Sequence, residues 1–243
     1  MNSLSVIIPS YNFEKLIINN LFKLEKKIKT FKIQYEIIVV DDGSNDKTQI
    51  KLKQNKNKFK NLKLIFLKKN YGKGYAVKKG FQSSSKKIII FIDCDLPYLS
   101  KLNSVYKNIC KRENDLVIIS RAKENIRKIH SKNSRLKFRR FLSRLAYYVI
   151  TQFIVKNIKD TQSGLKAIKS KYKSKLINYR TNGFAFDLEI LAKAQKHNLK
   201  IKQIYSNSKS QDYSSRIFFD IIYYFRFIFE LGILMLMKVF NKI

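Results

Sequence analysis

The first part of the sequence alternates short apolar runs with longer segments in which apolar and polar residues are mixed. The apolar runs cover residues 4–8, 35–40, 62–67 and 88–92, and each intervening segment is long enough for one helix. Short apolar runs bounded by polar residues are typical of strands that are buried on both faces. Strands that alternate with helices in this way predict an α/β domain, with a mostly parallel central sheet flanked by helices.

The rest of the chain continues this pattern with one interruption. We predict a fifth strand at residues 115–120, then a mobile loop in the polar, basic stretch 122–137, and then a helix at 139–155. A short strand at 164–168, a helix at 186–197 and a last strand at 201–205 follow. A chain of 243 residues can bury enough surface for one such domain without disulfides or structural zinc.

The composition indicates a strongly basic protein of a reducing compartment. Lys and Arg number 51 against 17 Asp and Glu, a formal net charge of +34, so the surface attracts anions such as nucleotides, nucleic acids or an anionic membrane. Lysines spread over every helix are equally typical of a solvated face. Arginine is more informative, because none precedes Arg112 and seven lie from Arg112 to Arg144, where they can bind phosphate.

Two cysteines and two histidines exclude a disulfide framework and a Cys/His zinc cage.

Polar residues gather where four of the predicted strands end. They occupy residues 9–12, 41–44, 70–74 and 93–95. In open parallel sheets, ligands bind in the crevice outside the carboxyl ends of the strands. We therefore expect these four segments to face one binding crevice.

The segment Asp93-Cys94-Asp95 places two carboxylates one residue apart at the end of a strand. Like charges so close repel unless a cation lies beside them, and such hard oxygen ligands favour Mg²⁺ or Mn²⁺ completed by substrate phosphates. The same spacing also arises by chance in turns and helix caps, so the motif is only a candidate metal site. Cys94 points the opposite way along the strand and is expected in the core.

Asp41 and Asp42 follow another predicted buried strand, and Gly43 permits a tight turn into the next helix. A carboxylate here can accept hydrogen bonds from a nucleotide base or a ribose, although an ordinary helix start would look the same. Residues 70–74 are similar to a phosphate loop, but neither the G-x-x-x-x-G-K-[ST] pattern nor G-x-G-x-x-G is present. ATPase and NAD-dependent activities are therefore disfavoured.

These motifs, in this order, resemble those of family-two glycosyltransferases of the GT-A fold. The segments are Ser5-Val6-Ile7-Ile8-Pro9-Ser10-Tyr11-Asn12, Asp41-Asp42-Gly43-Ser44-Asn45-Asp46-Lys47-Thr48, Asn70-Tyr71-Gly72-Lys73-Gly74 and Asp93-Cys94-Asp95. Later segments look like the branch that transfers hexoses to dolichyl and polyprenyl phosphates: Ser120-Arg121, Arg139-Arg140-Phe141-Leu142-Ser143-Arg144, Asp160-Thr161-Gln162-Ser163-Gly164-Leu165-Lys166 and Phe184-Ala185-Phe186-Asp187-Leu188-Glu189. The run that begins at Asp160 is closer to the dolichyl-phosphate β-glucosyltransferase type than to the mannosyl type.

The resemblance, which covers essentially residues 4–230, implies the domain organisation and the activity. It implies a GT-A domain at 1–215, with a nucleotide-sugar half at about 1–120 and an acceptor half at about 121–215, and a C-terminal amphipathic helix at 216–243. The implied reaction is a metal-dependent, inverting transfer of a hexose to a polyprenyl or dolichyl phosphate at a membrane surface. The implied donor is a nucleotide-diphosphate sugar, with UDP-glucose favoured.

The resemblance also implies roles for individual residues. Donor binding falls to Pro9, Tyr11, Glu14, Asp42, Lys73, Asp93 and Arg121. Acceptor binding falls to Arg139, Ser143, Gln162 and Ser163. Asp93 and Asp95 are the implied ligands of Mg²⁺ or Mn²⁺, and Asp93, Asp95 and Asp187 are the implied catalytic residues.

Two positions depart from the family pattern. Many relatives have Asn-Glu-Glu after the N-terminal tyrosine, whereas Phe13 here separates Asn12 from Glu14, which weakens the role implied for Glu14. Some relatives place a metal-binding Gln two residues after the paired aspartates, where this chain has Pro97. Because proline has no side-chain donor atom, that position supplies no third ligand.

The nature of the acceptor decides whether the reaction needs a base. In-line attack inverts the anomeric centre, and the negative charge that develops on the leaving diphosphate is stabilised by the metal and by arginines. A lipid phosphate is already anionic and needs no strong base. If the acceptor is instead a hydroxyl of a glycan in cell-surface polysaccharide synthesis, Asp187 or Glu189 could be the base. Both acids also suit an ordinary helix N-terminus.

Residues 217–240 predict an amphipathic helix whose charged residues share one side and leave a broad apolar face. The charged residues are Asp220, Arg226, Glu230 and Lys238. Such a face lies in a membrane interface or packs on the domain. Because these charges interrupt the segment and no basic leader opens the chain, we expect a cytoplasmic protein in peripheral contact with an anionic membrane. A nucleic-acid-binding protein is the remaining alternative, but the predicted strands carry almost no Lys, so no specific nucleic-acid partner is expected.

Overall fold

The computed structural model describes residues 2–121, 153–206, 221–240 and 243, without the side chains of 121 and 221–225. The predicted loop at 122–137 and most of the predicted helix at 139–155 lie outside the described residues. So do Arg139, Ser143 and the side chain of Arg121. Their roles therefore stay predictions.

Seven strands form one sheet. They are β1 (Ser3–Ser10), β2 (Gln34–Asp41), β3 (Leu62–Phe66), β4 (Ile88–Ile92), β5 (Leu116–Arg121), β6 (Leu165–Lys169) and β7 (Ile201–Ser206). Their order across the sheet is β3-β2-β1-β4-β6-β5-β7. Every predicted strand is confirmed, and β4 matches its prediction at both ends.

Strand β6 is the exception to the predicted parallel arrangement. It pairs antiparallel with both of its neighbours, so that Ala167 lies opposite Ile90 of β4 and Val117 of β5. The other adjacent strands pair in parallel. A short apolar run predicts a strand but not its direction, because direction depends on how the chain returns to the sheet.

Seven helices are described around the sheet. They are α1 (Ile17–Lys29), α2 (Thr48–Asn55), α3 (Lys73–Ser83), α4 (Leu102–Cys110), α5 (Lys173–Ile177), α6 (Phe186–Lys196) and α7 (Ile221–Val239), with 3₁₀ turns at Lys56–Lys58, Leu99–Lys101 and Ser170–Tyr172. Helix α1 shows why such segments form helices: Ile17, Leu21, Leu24 and Ile28 are spaced three or four residues apart and all are buried. Its last turn is rich in lysine, which suits the negative end of the helix dipole.

The two faces of the sheet are covered by different helices. In β1, Val6 and Ile8 pack with the apolar sides of α1, α2 and α4, whereas Ile7 packs with Val77 and Phe81 of α3. The division follows from the alternation of side chains along a strand. Both faces are therefore buried, as the continuous apolar runs predict, and polar side chains are left to the strand ends.

Helix α7 packs on the side of the sheet that holds α3 and α6, through Leu231, Leu234 and Met237. Its other side is apolar and exposed. Ile228, Phe229, Leu236, Val239 and Phe240 are each 53% to 76% exposed. No helix in the described ranges has both the length and the apolar character needed to span a bilayer. The sequence left open whether this segment binds a membrane or packs on the domain. The structure shows it packed on the domain with one apolar side exposed, and membrane binding stays a prediction.

Candidate active site

The polar segments after β1 and β2 are joined directly, as expected for neighbouring strands. Ser10 at the end of β1 lies beside Asp41 at the end of β2. Beyond them, the N–H of Asn12 donates to Ser44 Oγ at 2.8 Å, and Asn12 Oδ1 accepts from the N–H of Asn45 at 2.9 Å. The two strand ends therefore form one continuous polar rim.

Three of the predicted donor-binding residues lie in this rim. Pro9 is buried within β1, and Tyr11 is half-buried just beyond it. The Glu14 carboxylate accepts the N–H of Lys47 at 3.0 Å, and the N–H of Glu14 donates to Asp46 Oδ2 at 3.1 Å. Glu14 therefore ties the segment after β1 to the segment after β2. Its contact with a nucleotide stays a prediction.

Both acids of the pair after β2 are engaged within the protein. Asp41 accepts the N–H of Ser44 at 3.0 Å. Asp42 accepts the N–H of Tyr71 at 2.9 Å and that of Gly72 at 2.8 Å, which binds the loop after β3 to the end of β2. Burial raises the pKa of Asp42, and these two N–H groups oppose the rise. The Asp42 carboxylate thus shapes a loop, and a contact with the donor base stays a prediction.

Two glycines make this close approach possible. Gly43 has φ +68°, and a Cβ there would lie 2.4 Å from the carbonyl carbon of Lys69. Gly72 has φ +109°, and a Cβ there would lie 2.4 Å from the carbonyl oxygen of Asn182. Each position combines a left-handed backbone with a contact that leaves no room for a side chain.

Asp93 and Asp95 follow β4, and Lys73 at the start of α3 reaches across to Asp93. Lys73 Nζ lies 2.5 Å from Asp93 Oδ1, and the two side chains are 21% and 24% exposed. The N–H of Asp93 donates to the carbonyl oxygen of Gly164 at 2.9 Å. A Cβ on Gly164 would lie 2.2 Å from Asp93 Oδ2. Asp93 is therefore held between α3 and the residue that precedes β6.

Asp95 lies in a different electrostatic environment. Burial and then the charge of Asp93 raise the pKa of Asp95 to about 6, against an opposing effect of Lys73. Cys94 is buried between the two acids, as predicted, and burial also raises the pKa of its thiol. Burial and the charge of Asp93 thus both disfavour the ionised form of Asp95, and a bound cation would favour it.

The carboxylates of Asp93 and Asp95 suit a hard divalent cation, but two side chains supply only part of its coordination shell. In the part of the chain that the structure describes, no three His, Cys, Asp or Glu side chains are grouped so that they could hold a metal ion. Phosphate oxygens and water would complete the shell, as is usual for Mg²⁺. Because Asp93 is paired with Lys73, Asp95 is the carboxylate better placed for the ion.

Asp187, at the start of α6, forms a buried ion pair with Lys166 of β6. Their charged atoms are 2.9 Å apart, and the two residues are 3% and 0% exposed. Lys166 Nζ also donates to the carbonyl oxygen of Ser163 at 2.8 Å and lies 5.4 Å from the ring centre of Phe91. Burial raises the pKa of Asp187, and the charges of Lys166 and Lys73 oppose the rise. Lys166 was not among the predicted site residues, although a lysine inside a buried strand signals an acidic partner nearby.

Glu189 is committed to the protein itself. Its carboxylate is fully buried and accepts the N–H of Arg180 at 2.9 Å and that of Thr181 at 3.0 Å. Lys193 Nζ lies 3.1 Å from its other oxygen. These contacts use the carboxylate to hold the segment before α6, and a role of Glu189 as a base on a hydroxyl acceptor stays a prediction.

The predicted acceptor residues Gln162 and Ser163 directly precede Gly164, which contacts Asp93. Ser163 is buried, and among the described residues its hydroxyl has no hydrogen-bond partner. Gln162 is half-buried, and its N–H donates to Asp160 Oδ1 at 3.2 Å. The chain thus brings both residues close to the acidic end of β4, while contact with an acceptor stays a prediction.

Known proteins are similar to this sequence over most of its length. Residues 5–176 match the model of Glycosyl transferase family 2. The dolichyl-phosphate beta-glucosyltransferase of Dictyostelium discoideum is 35% identical over 235 residues, which cover 88% of this chain and 70% of that protein. The human and Saccharomyces cerevisiae proteins of the same name are 32% and 34% identical, over 84% and 83% of this chain and 66% and 65% of their own lengths. The chain spans about two thirds of the length of these relatives.

A solved structure shares the fold. Glucosyl-3-phosphoglycerate synthase from Mycobacterium tuberculosis, in complex with Mn²⁺, UDP and phosphoglyceric acid, aligns with a TM-score of 0.60 over 84% of this chain and 68% of that one. Its sequence is 18% identical, so the likeness concerns the fold alone. The predicted GT-A arrangement is confirmed. The chain therefore belongs to glycosyl transferase family 2, in the branch that its sequence motifs share with the dolichyl-phosphate beta-glucosyltransferases.

Proposed function

We propose that the chain is an inverting glucosyltransferase that moves glucose from UDP-glucose to dolichyl or polyprenyl phosphate. The observation that carries the proposal is the carboxylate pair Asp93 and Asp95 at the end of β4, with Lys73 beside it. The family match and the activity named for the curated relatives support the same reaction. Inversion follows from a single in-line displacement at the anomeric carbon.

Donor binding is proposed for the acidic end of β4 and the loop before α3. Asp95, with Asp93 beside it, would hold Mg²⁺ or Mn²⁺, and the ion would supply Lewis-acid stabilisation of the leaving diphosphate. Crystals of the mycobacterial synthase contain Mn²⁺ or Mg²⁺ with UDP, and others contain Mn²⁺ with UDP-glucose, which supports this choice. Burial alone would lower the pKa of Lys73, but the charges of Asp93 and Asp187 raise it. Lys73 therefore stays charged and can help to neutralise the diphosphate.

The acidic residues of α6 favour a phosphate acceptor over a hydroxyl acceptor. Glu189 is bound to its own loop, and Asp187 is paired with Lys166. A phosphate monoester is already anionic at neutral pH and needs no base, so it suits a site in which the described acids of α6 are both engaged. We assign the acceptor phosphate to Arg139, Ser143, Gln162 and Ser163, and the donor diphosphate to Arg121 as well as Lys73. The concentration of arginine from Arg112 to Arg144 supports this assignment.

The exposed side of α7 is the proposed membrane contact. Large apolar side chains such as Phe229 and Leu236 are 70% and 61% exposed there, and the net charge of +34 attracts an anionic bilayer. A polyprenyl acceptor keeps its tail in the membrane, so an enzyme that uses it must work at the surface. We place that surface on the cytoplasmic side.

The reaction is tested with the full chain, UDP-glucose, Mg²⁺ and dolichyl phosphate in mixed micelles. We expect a glucosylated lipid and an equal amount of UDP, with Asp95→Asn as the inactive control. Folded protein that makes no glycolipid from any common nucleotide sugar would contradict the proposal. A product that forms only on a sugar hydroxyl would support the glycan acceptor instead.

Flotation with phosphatidylcholine and phosphatidylserine vesicles tests the membrane contact. The wild-type chain should float, and the double variant Phe229→Ser, Leu236→Ser should float much less. Equal flotation of the two proteins would show that charge alone, or another surface, binds the membrane.

A further inference from the structure

Two charged side chains of helix α7 contact the domain, one of them buried and the other partly exposed. Glu230 has a side chain that is 7% exposed, and Arg226, one turn earlier, is 40% exposed. Arg226 Nε lies 3.6 Å from Glu230 Oε1. These two charged residues, which the sequence shows only as part of a polar stripe, therefore form an ion pair on the side of α7 that faces the domain.

Glu230 holds the loop that leads into α6. Its two carboxylate oxygens accept the N–H of Gly183 at 2.6 Å and that of Ala185 at 3.1 Å. A Cβ on Gly183 would lie 2.5 Å from Glu230 Oε1, so the absence of a side chain there is what lets the carboxylate approach. Hydrogen bonds from backbone N–H groups to a buried carboxylate are among the stronger ones in proteins.

Arg226 holds the other loop, which carries Lys73. Its Nη2 donates to the carbonyl oxygen of Tyr71 at 3.0 Å. The N–H groups of Tyr71 and Gly72 bind Asp42 from the opposite side. This loop is therefore held by hydrogen bonds to Asp42 at the end of β2 and to Arg226 of α7. It lies immediately before Lys73, the first residue of α3.

The two loops are also joined to each other. The N–H of Gly74 donates to the carbonyl oxygen of Gly183 at 3.2 Å, and the N–H of Tyr75 donates to that of Asn182 at 3.2 Å. Because of these two hydrogen bonds, a shift of one loop should move the other. Lys73 directly precedes Gly74, so its position depends on both loops. In this placement the ammonium of Lys73 lies 2.5 Å from Asp93 Oδ1.

We infer that Arg226 and Glu230 are positioning residues for donor binding, although neither reaches the end of β4. They hold the loop that ends at Lys73 and whose N–H groups bind Asp42. The affinity for the nucleotide therefore depends on α7, which lies outside the donor site. The inference rests on the proposed function, because it takes the end of β4 and Lys73 as the donor site.

The test is the binding of UDP with Mn²⁺ to the full chain, measured by isothermal titration calorimetry without acceptor. Arg226→Gln and Glu230→Gln should each weaken UDP binding about tenfold, the loss of one charge-assisted hydrogen bond. In the transfer assay the Michaelis constant for UDP-glucose should rise by a similar factor while kcat changes little. Arg226→Lys keeps a donor and a charge, and it should recover most of the affinity.

Lys238→Gln is the matched control, because it removes one positive charge from the same helix far from both loops. It should bind UDP like the wild type. Circular dichroism and thermal unfolding identify any variant that fails to fold; Arg226 is the more exposed of the two residues, so its variant carries the test if Glu230→Gln unfolds. Gly183→Ala, which crowds Glu230 without removing a charge, should weaken binding as Glu230→Gln does.

The outcomes separate this inference from the proposed function. A wild-type chain that binds UDP, with folded Arg226→Gln binding equally well, would overturn the inference and leave the proposed function intact. A folded wild-type chain that does not bind UDP with Mn²⁺ would overturn the proposed function and this inference with it. Equal weakening by Lys238→Gln would show a general charge effect and would also overturn the inference.

Discussion

The chain places one pair of aspartates at the carboxyl end of β2 and another at that of β4, the two strands that flank β1, and the two pairs have different surroundings. Asp41 and Asp42, after β2, accept hydrogen bonds from Ser44, Gln49, Tyr71 and Gly72. Within the described residues, Asp93, after β4, is paired with Lys73, and the charge of Asp93 acts on Asp95. Hydrogen-bond donors of the protein satisfy the first pair, whereas the second pair retains negative charge that a ligand can use.

The comparison teaches that two acidic pairs at strand ends can differ in how far hydrogen bonds within the protein already use them. The pair after β4 is therefore the better candidate for a cation, while a donor contact of Asp42 stays a prediction. Both pairs look alike in sequence, since each follows an apolar run. What differs is the neighbour: the loop after β3 offers two N–H groups to Asp42, whereas α3 offers the single ammonium of Lys73 to Asp93. A carboxylate held by several donors stabilises the fold, while a carboxylate near like charge favours a cation.

Asp95→Asn should have the largest effect on activity. We expect kcat for transfer from UDP-glucose to fall about 10³-fold, because the amide is a poor ligand for a divalent cation and no longer balances the charge of the ion. The melting temperature should stay the same or rise slightly, since the substitution relieves repulsion with Asp93. Activity assays over a range of Mn²⁺ concentrations and thermal unfolding check both expectations. A variant with more than a tenth of wild-type activity would show that the two acidic pairs do not differ in the proposed way.

Asp187→Asn tests a third acid, one that has a buried lysine as its partner. Loss of its charge leaves Lys166 buried without a carboxylate and should lower the free energy of unfolding by about 3 kcal/mol, as measured in urea. In the same protein at a permissive temperature, kcat with dolichyl phosphate should fall less than about tenfold, because no base is needed. A hundredfold loss in folded protein would identify Asp187 as a base and favour a hydroxyl acceptor. Lys166→Met combined with Asp187→Leu is the stability control, since removing both charges should restore much of the loss.

Asp42→Asn should affect stability more than Asp95→Asn does. The amide oxygen can accept one of the N–H groups of Tyr71 and Gly72, but the amide nitrogen opposes the other. We expect a loss of about 2 kcal/mol in the free energy of unfolding. Equilibrium denaturation of both variants under the same conditions makes the comparison direct. Equal stability of Asp42→Asn and Asp95→Asn would remove the distinction drawn between the two pairs.

Glu36 is another acid that hydrogen bonds of the protein hold, and it should make the stability of the fold depend on pH. Burial alone would raise the pKa of Glu36, but hydrogen bonds from Lys63, Ser5 and Ser85 outweigh burial and lower it to about 2. The unfolded chain titrates this group at about 4.5. Its contribution to stability is therefore present above pH 4.5 and is lost as the pH falls from 4.5 toward 2.

Glu36→Gln should accordingly be about 3 kcal/mol less stable than the wild type at pH 7, and the difference should shrink as the pH falls toward 2. Paired thermal unfolding curves at several pH values measure it. Glu113→Gln, on an exposed residue, is the control and should show a much smaller dependence on pH. A difference that stays constant over this pH range would mean that Glu36 does not titrate as a satisfied buried acid.

Much of the fold was predictable because the decisive signals are local. A fully buried strand needs an apolar run, and the chain has one for each of β1, β2 and β4. The polar rim was also predictable, because β1 and β2 are parallel neighbours and their polar carboxyl ends lie at the same edge of the sheet. The pairing of Lys73 with Asp93 was not predictable, because it depends on how α3 lies against β4. The separate roles of Asp187 and Glu189 also escaped prediction, since both acids suit the start of a helix equally well.

The sequence by itself determined the strands, the acidic ends of β2 and β4 and the likeness to a family of transferases, because each depends on residues close together in the chain. The tertiary structure alone decided the direction of β6, the partners of the buried charges and the inward face of α7. These contacts join residues far apart in sequence, and burial makes each charge depend on the donor that packing brings to it. A pattern along the chain records that a polar side chain is present, but only packing determines whether its partner is the protein or a ligand.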